Sequence, residues 1–276
     1  VILRTIPRNS VDLTITSPPY FQLKDYGHID QIGWAQSKAA YLKAMKEVLT
    51  LLLDVTCPTG SCFVVIGDTY KNKCLQLIPH ELSLAARDAG WCVRNDIIWN
   101  KLDAPPDRAT DRWRNTHEHI LFLTKHPKNY VFNIDSIRVP YSDATVRRWG
   151  KGQKYGGAKA TTAADSKGQR FRRGKSFCLN PLGTVPSDVI DLPTSRSKEF
   201  HYATFPPKLI ERLILATTKA GDQVLDPFAG TGTTGIVAIQ HQRRFTGIEI
   251  VDRFAEIAER LCCSATTTQS TSSNVC

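Results

Sequence analysis

A chain of 276 residues, 41% apolar and carrying five Trp and eleven Phe, has the material for one large α/β domain or one domain with a sizeable insertion. No run approaches the roughly 18 apolar residues a membrane helix needs, the start is no signal peptide, and eight cysteines without a C-x-x-C pair or zinc spacing read as reduced thiols of an intracellular protein. The net charge of +10 excludes an acidic surface and points to a polyanionic partner.

Val1 falls inside an element already under way, so the chain reads as a piece of a longer one. Val11-Asp12-Leu13-Thr14-Ile15 alternates in the manner of a buried strand. It runs into Thr16-Ser17-Pro18-Pro19-Tyr20, where two prolines stop the strand, fix φ and push the preceding residues toward extended geometry. The expected result is a stiff tip whose Ser17 and Pro18 carbonyls lack ladder partners, with the Tyr20 ring behind them. Such a tip suits a flat ligand with a polar edge, and a nucleobase fits; a rigid turn beside a core tyrosine is the other reading.

Phe21 to Gly27 reads as a loop. Ala40, Tyr41, Ala44, Met45, Val48, Leu49 and Leu52 then fall at helical spacing over Ser37–Asp54. Pro58-Thr59-Gly60 predicts a turn into a strand over Ser61–Ile66, ending at Gly67-Asp68. A helix over Leu77–Ala89 stops at Gly90. Strands follow at Val93–Trp99 and His119–Thr124, the second preceded by Arg112-Trp113-Arg114-Asn115-Thr116-His117-Glu118. Strand and helix alternating at this pitch predict a mostly parallel sheet covered on both faces. His117 reads as a structural hydrogen-bonding group rather than a catalytic one.

The periodicity breaks over residues 135–199, where Gly, Ser, Thr and basic residues dominate. Residues 138–175 hold eleven Lys and Arg against Asp143 and Asp165, and so carry +9 of the net charge. Trp149, Tyr155 and Phe171 are interleaved with them, which favours phosphate binding over a merely solvated loop. The candidate contacts are Arg147, Arg148, Lys151, Lys154, Arg170, Arg172 and Arg173, with Lys101 just after the Val93–Trp99 strand.

The pattern resumes at His201-Tyr202-Ala203-Thr204-Phe205-Pro206-Pro207, followed by a helix with Leu209, Ile210, Leu213 and Ile214 on one face. Gln223-Val224-Leu225-Asp226-Pro227-Phe228-Ala229-Gly230-Thr231-Gly232-Thr233-Thr234 reads as strand, glycine turn and helix start, a ligand-approach geometry at a strand's carboxyl end. A strand over Phe245–Ile250 presents Glu249, an acceptor for ribose hydroxyls. There is no G-x-x-x-x-G-K-[ST] and no G-x-G-x-x-G. Ser264 to Ser273 reads as a flexible tail.

Ser17-Pro18-Pro19-Tyr20 behind a hydrophobic strand resembles the catalytic motif of the DNA amino-methyltransferases, which methylate N4 of cytosine or N6 of adenine. Asp226 to Thr234 resembles their S-adenosylmethionine motif, Gly247-Ile248-Glu249-Ile250 its ribose-binding partner, and His201 to Pro206 the motif over the methionine end. Asp68, Trp99-Asn100-Lys101 and His117-Glu118…Lys125 resemble the minor motifs. The resemblance covers about residues 9–261. Catalytic motif first and cofactor motif last matches the circularly permuted class, with target recognition between them. Members usually carry a Gly-Asp pair upstream of the catalytic strand, near the cofactor's adenine; this sequence starts too late to show it, and its absence, as opposed to its trimming, would weaken the cofactor's hold.

The resemblance implies a doubly wound, Rossmann-like α/β methyltransferase, with catalytic half 1–134, basic target-recognition insertion 135–199, cofactor half 200–263 and tail 264–276, beyond which a further domain has room. It implies S-adenosylmethionine as cofactor and double-stranded DNA with a flipped base as partner. Ser17, Pro18, Pro19 and Tyr20 become catalytic. The cofactor residues become His201, Thr204, Phe205, Pro206, Asp226, Pro227, Phe228, Gly230, Gly232, Thr233, Thr234 and Glu249, with no metal. Serine in the first motif position leans toward cytosine N4 over adenine N6, and the absence of Pro-Cys in the catalytic loop disfavours carbon-5 methylation. An inactive DNA-binding module of the same fold, or an RNA or protein-glutamine substrate, are the alternatives. Localisation with DNA, in a bacterial nucleoid as part of restriction-modification or in a nucleus, follows as an expectation.

Overall fold

The computed structural model describes residues 2–149, 179–194 and 205–272. The chain divides into two units, Val1–Asn133 with Ser187–Cys276, and Ile134–Pro186. The first is built on a sheet of seven strands: β1 (Val11–Thr16), β2 (Thr56–Ile66), β5 (Cys92–Lys101), β6 (His117–Thr124), β7 (Val189–Leu192), β8 (Gln223–Asp226) and β9 (Arg244–Gly247). Their order is β7-β5-β6-β2-β1-β8-β9. Every neighbouring pair is parallel except those of β6, which runs antiparallel to β2 and β5. A small hairpin, β3 (Tyr70–Lys71) and β4 (Cys74–Leu75), stands after β2.

The period of two in the strands splits the core into two layers. Cys62, Val64 and Ile66 of β2, with Leu121 and Leu123 of β6, face α1 (Lys38–Val55) and α2 (Ile78–Asp88), meeting Tyr41, Met45, Leu49 and Leu82. Phe63 and Val65, with Ile120 and Phe122, face α4 (Pro207–Thr217) and α5 (Thr233–Gln240), meeting Leu209, Ile210, Ile214 and Val237. Both faces are covered, so β1 and the second half of β2 are buried almost throughout.

Local chemistry sets the element ends. Ser37 caps α1, accepting from the Ala40 amide at 3.2 Å, and Gly90 leaves α2 with φ +105°, where a side chain is strained. In β2, two steps of β1 (Val11 to Leu13) are matched by five of β2 (Thr56 to Ser61), so Pro58-Thr59-Gly60 arches out. The strand thus begins at Thr56, five residues before the sequence places it.

Other differences have equally local causes. β9 ends at Gly247, three residues short of Ile250. Strand β7 lies inside the stretch 135–199 yet belongs to the main sheet: Ile190 is 8% exposed, and its strand pairs with β5. Four residues bounded by prolines at 186 and 193 are too short to show a period. Helix α6 (Asp252–Ser272) continues through residues read as a tail.

The unit Ile134–Pro186 contains a 3-10 turn (Ile134–Ile137) and the helix α3 (Asp143–Trp149). Val139 bridges Thr184, the Arg138 guanidinium donates to the Gly183 carbonyl at 3.0 Å, and the Asn180 amide donates to the Tyr141 hydroxyl at 3.0 Å.

Candidate active site

From β1 the chain passes through α1 to β2 on one side of the sheet, and from β8 through α5 to β9 on the other. The carboxyl ends of the adjacent strands β1 and β8 therefore flank the switch point, where open α/β sheets bind ligands. Thr16 Oγ1 donates there to Asp226 Oδ1 at 2.7 Å. Thr234 Oγ1 donates to Asp226 Oδ2 at 2.7 Å, and the Phe228 amide to Oδ1 at 3.1 Å. Burial pushes the Asp226 carboxyl up to about 6 against the pull of these donors. One buried carboxylate thus joins the residue preceding Ser17 to the glycine turn 210 positions later.

Pro18 is buried, while Ser17, Pro19 and Tyr20 are half-buried. The Tyr41 hydroxyl donates to the Pro19 carbonyl at 3.0 Å, fixing the tip from below. Tyr20 is held more firmly than a free stacking ring. Its hydroxyl donates to Glu118 Oε2 at 2.6 Å and lies 3.4 Å from Ser17 Oγ. Its ring edge rests on Gly67, where a Cβ would come within 2.8 Å. Burial, and then the Glu118 charge, hold the Tyr20 hydroxyl well above its ordinary pKa, so it stays a proton donor.

Glu118 opens β6 and also pairs with Lys101 Nζ. Lys101 lies 5.0 Å from the centroid of the Trp99 ring, whose Nε1 donates to the Leu192 carbonyl at 3.0 Å. Lys101, expected among the DNA contacts, shares Glu118 with Tyr20. Asp68 Oδ1 accepts from the amides of Thr69 at 2.8 Å and Ile78 at 3.1 Å, while its buried Oδ2 has no partner among the described residues.

On the β8 side, Gly230 and Gly232 take φ of +53° and +85°. Open space surrounds the place of a Gly230 Cβ, whereas one on Gly232 would lie 2.9 Å from the Ala258 Cβ of α6. Helix α5 begins at Thr233 with no side-chain cap among the described residues, an amide-bearing helix start suited to a ligand. Glu249, two residues beyond β9, accepts from the Gly230 amide at 2.7 Å and from the Ile250 and Val251 amides, each at 3.0 Å.

Two residues beside Glu249 escaped sequence reasoning. Tyr26, from the loop after the Ser17–Tyr20 tip, packs edge-on to Phe254 with centroids 6.5 Å apart. Burial and the Glu249 charge raise its hydroxyl pKa. Only its place in an aromatic and polar loop hinted at this, since 223 residues separate it from Glu249. An open glycine, a carboxylate at the strand end and a neighbouring aromatic ring fit a nucleoside with a charged tail.

Phe205 is 9% exposed in the core layer under α4, and Pro206 precedes that helix. His201 and Thr204 lie outside the described residues, as do Lys151, Lys154, Arg170, Arg172 and Arg173. Arg147 and Arg148 are exposed on α3 in the unit Ile134–Pro186. Among the described residues no cluster of His, Cys, Asp and Glu could hold a metal, and no helix is long and apolar enough to cross a membrane.

The type II methyltransferase M.Cfr9I of Citrobacter freundii is 32% identical to this chain over 286 residues, covering 93% of this chain and 83% of that protein. M.XycI of Xanthomonas campestris pv. cyanopsidis is 30% identical, with the same coverages. A protein of Thermus thermophilus superposes with a TM-score of 0.60 at 27% identity, over 96% of this chain and 91% of that one. Its crystal structure has also been determined in complex with S-adenosyl-L-methionine. The cytosine-N4-specific PvuII DNA methyltransferase, at 17% identity, shares the fold with a TM-score of 0.65 over 95% of this chain and 89% of that one. A family model for DNA methylases matches residues 11–260, from the first strand of the sheet into its last helix, and the chain belongs to this N6/N4 DNA methyltransferase family.

Proposed function

We propose that the protein transfers a methyl group from S-adenosylmethionine to the exocyclic N4 amine of cytosine, at a specific sequence in double-stranded DNA. The observation that carries this reading is the Thr16–Asp226 hydrogen bond, which sets Ser17 beside the glycine turn at the switch point. Bound there, S-adenosylmethionine supplies a methyl group on a sulfonium centre. Glu249 would accept from its ribose hydroxyls, exchanging them for the Gly230 amide. The turn Asp226–Gly232 and the first amides of α5, at Thr233 and Thr234, would hold the rest, with Phe205 and Pro206 on the methionine side together with His201 and Thr204.

An exocyclic ring amine is a poor nucleophile because its lone pair is delocalised into the ring. Ser17 Oγ and the Pro18 carbonyl, accepting from its two N–H groups, would localise that pair and aim it. Positioning then supplies most of the rate. No strong base is needed before attack, since the alkylated nitrogen is acidic and sheds its proton afterwards. The target atom cannot be reached inside a duplex, so the base must leave the stack, and Tyr20 provides a clamped aromatic surface for it. Tyr20 also relays to Ser17, since its hydroxyl is anchored on Glu118 and stands next to Ser17 Oγ.

Serine at the first motif position supports cytosine. That relatives such as M.Cfr9I and M.XycI are type II methyltransferases supports a place beside a restriction endonuclease. The test is nucleoside mass spectrometry on unmethylated DNA incubated with isotope-labelled S-adenosylmethionine. Labelled N4-methylcytosine is expected. Labelled N6-methyladenine would keep the mechanism and overturn the base, while label on neither would overturn DNA amine methylation.

A further inference from the structure

Residues 102–116 connect β5 to β6 across the rim of the sheet that bears Ser17, because β5 ends there and the antiparallel β6 begins there. The loop is braced. Arg112 pairs with Asp107 at 2.8 Å, donates to the Trp113 carbonyl at 3.1 Å and lies 4.0 Å from the centroid of the Tyr70 ring. Lys73 pairs with Asp111 at 2.7 Å, and both Tyr70 and Lys73 belong to the β3–β4 hairpin. Asp103 accepts from the Thr194 amide at 2.6 Å and its hydroxyl at 3.0 Å.

At the summit of this braced loop the Trp113 side chain is 94% exposed. A frayed segment would expose an indole through lack of structure; here hydrogen bonds and ion pairs hold the backbone that presents it. Arg108 and Arg114, both exposed, stand in sequence on either side. The carboxylates of the loop all have partners, Asp103 at Thr194, Asp107 at Arg112 and Asp111 at Lys73. What the loop exposes is an indole with two arginines near it in sequence, the chemistry that takes a base face and the phosphates beside it. Five residues separate Trp113 from Glu118, a reach of at most about 18 Å, so the indole is within a short span of Tyr20.

We propose that Trp113 stacks on the bases flanking the target and fills the gap the target leaves in the duplex, with Arg108 and Arg114 on neighbouring phosphates. This rests on the reading of the protein as a methyltransferase acting on an extruded base. The cost of extrusion would then be offset by stacking at the vacated site, and a substrate already unpaired there would not need it.

The test compares Trp113→Ala, Trp113→Phe and the unmodified protein on two duplexes, once the methylated sequence has been mapped. One duplex is fully paired, and the other has an abasic position opposite the target base. Labelled methyl transfer by Trp113→Ala should fall about tenfold or more in kcat/KM on the paired duplex, the loss expected for one base–aromatic stack. It should return to within about twofold of the unmodified protein on the abasic duplex, with Trp113→Phe retaining most activity on both. An equal loss on both duplexes would mean a structural role and overturn the proposal, as would no loss on either. Failure of the unmodified protein to label DNA would remove the methyltransferase reading, and this inference with it.

Discussion

Tyr20 owes its place to three contacts at once: Glu118 on its hydroxyl, Gly67 against its ring edge and the Tyr41-anchored tip beneath it. Glu118 is the hinge of that arrangement, since it serves both Tyr20 and Lys101 with only 11% of its side chain exposed. Replacing Glu118 by Ala takes the carboxylate acceptor from a largely covered ammonium and from the Tyr20 hydroxyl. We expect a loss of about 2–3 kcal/mol in urea unfolding, with turnover falling further than cofactor affinity. Ser17→Ala removes the proposed acceptor for the target amine and, from the fold, only the long 3.4 Å contact with the Tyr20 hydroxyl. Cofactor affinity measured by calorimetry should stay unchanged while kcat drops about a hundredfold, by analogy with the loss of one polar contact to a reacting group; unchanged kcat would sink the scheme.

Asp226 makes a pH-dependent prediction. Its folded carboxyl sits at about 6, above the ordinary 3.8, so the fold binds the proton more tightly than the unfolded chain does. The stability this contributes is full below about 4, is lost as pH rises through about 6, and is absent at neutral pH. The raised value corresponds to about 3 kcal/mol. Asp226→Asn keeps the shape and removes the charge. The difference in unfolding free energy between the two proteins should therefore change across pH 4–6 and be flat above about 7.

At the scale of elements, the turn between β8 and α5 depends on close approach. Gly232 combines a positive φ with contact against Ala258, so Gly232→Ala strains the backbone and presses α5 from α6. A loss of about 1–3 kcal/mol in thermal unfolding and weaker S-adenosylmethionine binding are expected. Glu249→Ala, at the same turn, should weaken binding of the cofactor about tenfold or more in calorimetry, through the lost acceptors for its ribose.

The elements that could be read in advance are those with a long period or a hard stop. Helix α1 shows its apolar stripe and Ser37 cap, and β1 its alternation before Pro18 and Pro19. The β7 strand shows neither, and its burial of Ile190 comes from pairing with β5, a partner some 90 residues earlier. The antiparallel direction of β6 is a matter of topology that no local pattern in His117–Thr124 encodes. The site was legible where one stretch holds its own chemistry, as in Ser17–Tyr20 and Asp226–Thr234. It was not where distant side chains meet, as Tyr26 does with Phe254 or Tyr20 with Glu118.

For the whole molecule, the boundary between the two units matters more than the boundary of charge. Excising 134–186 and bridging the ends with a flexible linker leaves every strand of the seven-stranded sheet in place. Excising 135–199 also takes β7, uncovers Trp99 and removes the acceptor of its indole at Leu192. The first variant should unfold cooperatively and bind S-adenosylmethionine; the second should melt several degrees lower, which scanning calorimetry would read directly. Both should lose most of their affinity for DNA in low-salt binding assays, since they lack the +9 segment.

The bond between Thr16 and Asp226 also has a consequence in time. The central strand β1 is synthesised first, but its neighbour β8 and the carboxylate that completes the crevice arrive some 200 residues later. At about 5–20 residues per second, that interval is on the order of ten seconds or more. Until it closes, one edge of β1 has no partner strand, and Ser17 has no glycine turn beside it. A nascent chain that has not yet presented β8 therefore lacks the crevice between β1 and β8. Folding of the finished chain should be slow for its size, with activity and the last sheet pairing appearing together.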